Sequence, residues 1–252
     1  MEKLYYGFKD NIKVEVFDSY EGLSRAAAAF IAERMKKKPD IILGLATGSS
    51  PVGVYDELTR MYEAGDLDFS AVRSFNLDEY YPLEPENDQS YRYFMNKNLF
   101  DRVNIDKANT RVPNGMAEDI ELECEEYDAA IAAAGGADIQ VLGIGGNGHI
   151  GFNEPDGFFT AETHKVALTE NTIKANARFF ASEEEVPRFA VTMGMGAIMS
   201  AKSIVLVANG GAKAQAIASM LTGGVDPLCP ASILQLHPDV NVFIDKAAAE
   251  LL

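Results

Sequence analysis

Apolar and polar positions alternate in blocks along this chain, with short apolar runs separated by longer amphipathic stretches. Ile41–Ala46 (IILGLA) is bounded by turn residues, the pattern of a strand buried on both faces. Asp138–Ile144 (DIQVLGI) repeats it, and Lys13–Phe17, Val72–Leu77, Phe189–Met193, Ile204–Ala208 and Val240–Ile244 read as further strands. Asp18 and Ser19 are N-cap candidates for an alanine-rich helix to about Lys37, whose terminal lysines suit the negative end of the helix dipole. Pro39–Asp40 breaks that helix, and Pro51 opens another to about Ala64, because proline is favoured at the first helical position. Ser90–Phe100, Asp119–Ala134, Met195–Ala201 and Ala212–Leu221 complete the helical set. This alternation predicts an α/β fold, a mostly parallel sheet with helices on both faces. No repeat or linker interrupts it, so residues 1–252 are read as a single domain.

In such sheets ligands bind outside the carboxyl ends of the strands. Four segments follow predicted strands there: Thr47–Ser50, Asp78–Tyr81, Gly145–Glu154 and Asn209–Lys213. In the first, small residues lead into a helix start and leave backbone N–H groups free for an anion, with Gly48 allowing close approach. It is not a P-loop, since GxxxxGK[ST] is absent. An ordinary capped turn would look the same.

Gly143–Gly148 matches GxGxxG, but dinucleotide binding needs a helix to start inside the motif. Gly151 and Pro155 oppose one. The glycines instead suit a loop that brings His149 and Glu154 to the sheet edge. A carboxylate near an imidazole fixes its tautomer and suits it to proton shuttling. The other histidines, His164 and His237, are scattered and give no metal signature; His237, beside Pro238, reads as structural. Asp78 ends a predicted strand, where a partly desolvated carboxylate serves either as a general base or as a loop cap. Lys213 follows Asn209-Gly210-Gly211 as a further anion contact. Arg178 sits among apolar residues and needs an anionic partner, which a ligand phosphate or a protein carboxylate would supply.

Composition narrows the ligand. The 22 basic and 38 acidic residues give a net charge of −16, which repels nucleic acid and anionic membranes. A bound phosphate must therefore meet a local positive site. Cys124 and Cys229 read as free thiols of a reducing compartment. The N-terminus lacks the apolar core of a signal peptide, and Ala26–Ala32 is too short to span a bilayer. A cytoplasmic protein is expected, as a monomer or homo-oligomer, without nucleic-acid or membrane partners.

Taken together, LGLATGSSPVGVYDEL, SFNLDEYYPL, GNGHIGFNEPD, NARFF and LQLHP resemble the glucosamine-6-phosphate deaminase (isomerase) family, in order and over essentially the whole chain. The related 6-phosphogluconolactonases share a Gly-His pair, but their histidine loop does not normally continue as FNEP. The resemblance implies a Rossmann-like fold with a small antiparallel addition. It also implies conversion of glucosamine 6-phosphate and water to fructose 6-phosphate and ammonium, with no cofactor and no metal. Carried over by motif, Asp78 is the base between C2 and C1, and His149 the ring-opening acid/base. Glu154 orients it and is expected to hold the imidazole alone, since Asn147 can hydrogen-bond but adds no charge. Thr47, Gly48, Ser49, Arg178 and Lys213 hold the substrate phosphate. Two features depart from the family. Some members carry aspartate where this chain has Asn147, and GFFTAETHKVAL lacks the basic cluster of allosteric members, so activation by N-acetylglucosamine 6-phosphate is not expected. Galactosamine 6-phosphate is the alternative substrate. A sugar-phosphate sensor module is the alternative of another class.

Overall fold

The computed structural model describes residues 5–170, 173, 177, 180, 182 and 185–252. Its main sheet has eight strands: β1 (Tyr5–Lys9), β2 (Ile12–Phe17), β3 (Ile42–Leu45), β4 (Arg73–Asn76), β6 (Thr110–Arg111), β7 (Ile139–Leu142), β10 (Ile204–Ala208) and β11 (Val240–Asp245). Their spatial order is β1-β2-β11-β10-β7-β3-β4-β6. All neighbours are parallel except the β1–β2 hairpin. A second sheet of three antiparallel strands joins β5 (Asp78–Tyr81), β9 (Phe189–Thr192) and β8 (His164–Ala167), in that order. The expected α/β architecture with its antiparallel addition is the one observed.

The apolar runs are strands because successive side chains enter two different cores. In β10, Ile204, Leu206 and Ala208 join one buried cluster while Val205 and Val207 join the other. Helices α1 (Tyr20–Lys37) and α2 (Val52–Glu63) cover one face with α3 (Tyr91–Met95), while α4 (Ile120–Ala134) and the helices Met195–Met199 and Ala214–Thr222 cover the other.

Some local expectations are corrected, and the one for His237 is met. Ser19, not Asp18, caps α1 by accepting from Gly22 N–H, and Asp18 turns outward to Lys246 at 2.6 Å. The stretch after Ser90 is α-helical only to Met95 and continues as a π-turn over Asn96–Phe100. Asp78–Tyr81 is a strand of the second sheet rather than a loop. His237 is structural, fully buried with Nε2 2.7 Å from the Ala201 carbonyl and Nδ1 accepting from Asp239 N–H at 3.1 Å. No helix among the described residues is long and apolar enough to cross a membrane.

Candidate active site

Strands β10, β7, β3 and β4 are neighbours in that order, and the loops leaving their carboxyl ends wall one cavity of about 650 Å³. The chain runs outward from β3 to β4 and later returns to β7 on the other side of β3. The cavity therefore lies where the strand order reverses, the usual ligand crevice of such sheets.

The Thr47–Pro51 loop turns through Gly48 at φ +86°, a left-handed conformation that a side chain would oppose. Tyr20, in the first turn of α1, pins it: its hydroxyl lies 2.8 and 3.0 Å from the Ser49 and Ser50 carbonyls and accepts from Gly53 N–H at 2.7 Å. Pro51, the residue before helix α2, offers no side-chain cap and the first turn holds no acidic residue, so the neutral Tyr20 hydroxyl on Gly53 N–H is the one side-chain acceptor there among the described residues. The positive end of α2 is therefore not neutralised, and Thr47, Gly48 and Ser49 line the cavity beside it. Across the crevice, Gly210 N–H donates to both Asp245 oxygens at 3.0 Å, and Asp245 also accepts from Ala248 N–H at 2.8 Å. That anchor shapes the turn that brings Lys213 into the wall. Burial lowers the pKa of Lys213.

Asp78 opens β5 and is 6% exposed, with its side chain in the cavity wall. Burial pushes its carboxyl up to about 8, and the adjacent Glu79 adds to the rise. Glu79 is itself buried and accepts the N–H groups of Tyr80, Tyr91 and Arg92 at 2.8–2.9 Å, capping the start of α3. Burial raises its pKa against those three bonds.

His149 lies on the loop after β7, where its ring packs flat over Gly145. A Cβ on Gly145 would sit 2.3–2.5 Å from three atoms of the imidazole, so only glycine admits the ring there. Glu154 Oε2 is 3.5 Å from His149 Nδ1, a charge contact without hydrogen-bond alignment. Asn147 bridges the pair. Its Nδ2 donates to Glu154 Oε2 at 2.7 Å, and its Oδ1 accepts from His149 N–H at 3.2 Å.

The arrangement offers an anion cradle on one side, a buried carboxylate on the other, and an imidazole between loops. The family description "Glucosamine-6-phosphate isomerases/6-phosphogluconolactonase" matches residues 18–243. The chain belongs to that family. The glucosamine-6-phosphate deaminase of Clostridioides difficile (strain 630) is 56% identical over 241 residues, 96% of this chain and 97% of that one. That of Clostridium botulinum (strain Loch Maree) is 54% identical, over 96% and 99% of the two chains. A solved structure of a monomeric glucosamine-6-phosphate deaminase superposes with a TM-score of 0.92 at 44% identity, covering 95% of this chain and 99% of that one.

Of the sequence-derived residues, this member of the glucosamine-6-phosphate isomerase family brings Thr47, Gly48, Ser49, Asp78, His149 and Lys213 to one cavity. Asn147 and Glu154 stand behind the imidazole rather than in the wall. Arg178 lies outside the described residues. Sequence reasoning missed Glu79, Gln89, Tyr91 and Phe152. The last three line the wall, where the Tyr91 and Phe152 rings stack with centroids 6.0 Å apart. Glu79 and Phe152 lie inside the runs SFNLDEYYPL and GNGHIGFNEPD and Gln89 and Tyr91 outside them, none with a local chemical signal of its own.

Proposed function

We propose that the chain is a glucosamine-6-phosphate deaminase, converting glucosamine 6-phosphate and water to fructose 6-phosphate and ammonium. One observation carries the reading. A buried carboxyl with no donor or counter-ion among the described residues (Asp78) and a carboxylate-backed imidazole (His149) face the same cavity as a phosphate-type cradle, in a chain 54–56% identical to named deaminases.

The phosphate does not react. The positive start of α2, with Thr47, Gly48, Ser49 and Lys213, anchors it and so places C1 and C2 near Asp78. His149 relays a proton between O1 and the ring oxygen, opening the sugar to its aldehyde. Asn147 and Glu154 are positioning residues that hold the imidazole. Asp78 then takes the C2 proton while a proton passes from the C2 ammonium to O1, giving an enolamine, and Asp78 returns its proton to C1. The resulting C2 iminium is hydrolysed by water, leaving a ketone and releasing ammonium. A substrate ammonium at C2 also favours the charged carboxylate, offsetting part of the burial that raises the Asp78 pKa.

A cytoplasmic setting fits the two free thiols and the acidic surface, which also disfavours nucleic acid and anionic membranes as partners. A monomer fits the likeness to the monomeric deaminase. The deciding assay follows ammonium release from glucosamine 6-phosphate and its C4 epimer, and hydrolysis of 6-phosphogluconolactone. Ammonium release, abolished in Asp78→Asn, is expected. Lactone hydrolysis without ammonium release would overturn the reading.

A further inference from the structure

A second concavity lies at the β6 edge of the main sheet, away from the carboxyl ends where the first cavity opens. Phe75 of β4 pairs with Arg111 of β6, and Arg73 precedes Phe75 by two positions. These three side chains therefore share one sheet face, while Ser74 and Thr110 point to the other, where Arg92 bonds Thr110. On the shared face α4 presents Ala130, Ala133 and Ala134, too small to fill the space. What remains is a pocket of about 310 Å³ between the two arginines, Asn109, the Phe75 ring and the alanines.

Both arginines are exposed, and among the described residues neither is within ion-pair distance of a carboxylate. That is notable in a chain with 38 acidic and 22 basic residues. Nor does the end of α4 account for them through all its free carbonyls: those of Ile131 and Ala132 are taken by the N–H groups of Gly136 and Gly135. The frame is rigid. The Tyr127 hydroxyl donates to the Asn76 carbonyl at 2.7 Å and lies 3.3 Å from that of Arg111, while its ring meets Phe75 edge-on at 6.0 Å. The two strands that carry the guanidinium groups are thus fixed relative to each other before any ligand arrives.

We propose that Arg73 and Arg111 form a second anion site that binds a small phosphomonoester, with the phosphate between the guanidinium groups and the carbon body over Phe75 and the alanines. Paired guanidinium forks match phosphate oxygens, and the volume lies at the lower end of small-ligand pockets. The site is independent of the reaction assigned above.

Inorganic phosphate is the probe, followed by two-dimensional amide NMR on the whole chain and on R73Q/R111Q. Saturable shifts are expected at residues 73–75 and 109–111 with a dissociation constant in the millimolar range. In R73Q/R111Q they should weaken by about tenfold or vanish, roughly the loss of one charged contact set. Shifts at 47–50 and 211–213 should be unchanged in the variant, which also reports an intact fold. Three results would each overturn the proposal: no shift at 73–75 and 109–111, a linear non-saturating shift there, or equal saturation in R73Q/R111Q.

Discussion

Asp78 and Glu79 are consecutive buried carboxylates on one strand, and they are treated in opposite ways. Three backbone N–H groups hold Glu79, whereas among the described residues no donor holds Asp78. The cap on α3 thus keeps a carboxylate beside the cavity without hydrogen-bonding the one that faces it. Removing the neighbour's charge in Glu79→Gln should ease ionisation of Asp78. The ascending limb of kcat/KM against pH is expected to move to lower pH by less than about one unit, since burial is the larger cause of the shift. A pH titration of kcat/KM in both proteins checks this. An unmoved limb would show that Glu79 acts only as a cap.

The same burial has a cost in stability, with a definite sign. The Asp78 carboxyl is raised from 3.8 to about 8 in the folded chain, so the native state binds the extra proton between those values. Native stability therefore falls as pH rises from about 4 to 8. Asp78→Asn is expected to be inactive, close to the wild type in Tm at pH 4.5, and clearly more stable at pH 9. Thermal unfolding of both proteins across that range reads it directly.

The Gly145 backbone lies flat beneath the imidazole of His149, and an added methyl would occupy the ring's position. Gly145→Ala should push the ring away from Glu154 and the cavity. A displacement of about 1 Å costs roughly 100-fold in rate when groups must be aligned, so kcat is expected to fall by about that factor. KM should change far less, because the phosphate loops are elsewhere. Steady-state kinetics test the split, and loss through KM alone would count against His149.

Asn147 and Lys213 separate positioning from binding. Asn147→Ala removes the 2.7 Å bond to Glu154 and should lower kcat about tenfold with KM little changed. Lys213→Gln removes a half-buried charge from the cavity wall and should raise KM by about tenfold or more, with kcat nearly kept. Equal effects on both constants in both variants would mean that the two residues do not divide the work this way.

The strands of the main sheet were legible because burial on both faces writes continuous apolar runs, as in Ile204–Ala208, found at the expected bounds. Short or polar strands were not. Asp78–Tyr81 (DEYY) and His164–Ala167 (HKVA) carry too few apolar residues to announce themselves, and only tertiary pairing with Phe189–Thr192 makes them strands. The candidate site was legible where chemistry is local, as in the run from Gly145 to Glu154. It was hidden where a residue acts at a distance. Tyr20 shapes a loop 29 positions away, and Asp245 shapes one 35 positions away. Asn147 was readable as a departure from an aspartate, but its bridge to Glu154 needed coordinates.

Asp138 offers a stability test remote from the chemistry. At the start of β7 it accepts from Lys38 at 2.6 Å, Lys202 at 2.7 Å and Ile42 N–H at 2.8 Å, tying α1, β3 and the turn before β10 together. Burial pushes its pKa up, but the bonds from Lys202, Lys38 and Ile42 outweigh that and leave it below 3.8. A depressed folded value means the contribution is present above the unfolded pKa and is lost as pH falls through the folded one. Lys202 is largely solvent-exposed and Lys38 partly so, which screens their share, so Asp138→Asn is expected to cost about 1–2 kcal/mol at pH 7. The gap between variant and wild type should narrow as the pH falls below 3.8 in denaturant titrations, while kcat and KM at pH 7 stay unchanged. A loss independent of pH would mean that shape rather than charge at Asp138 sets the contribution.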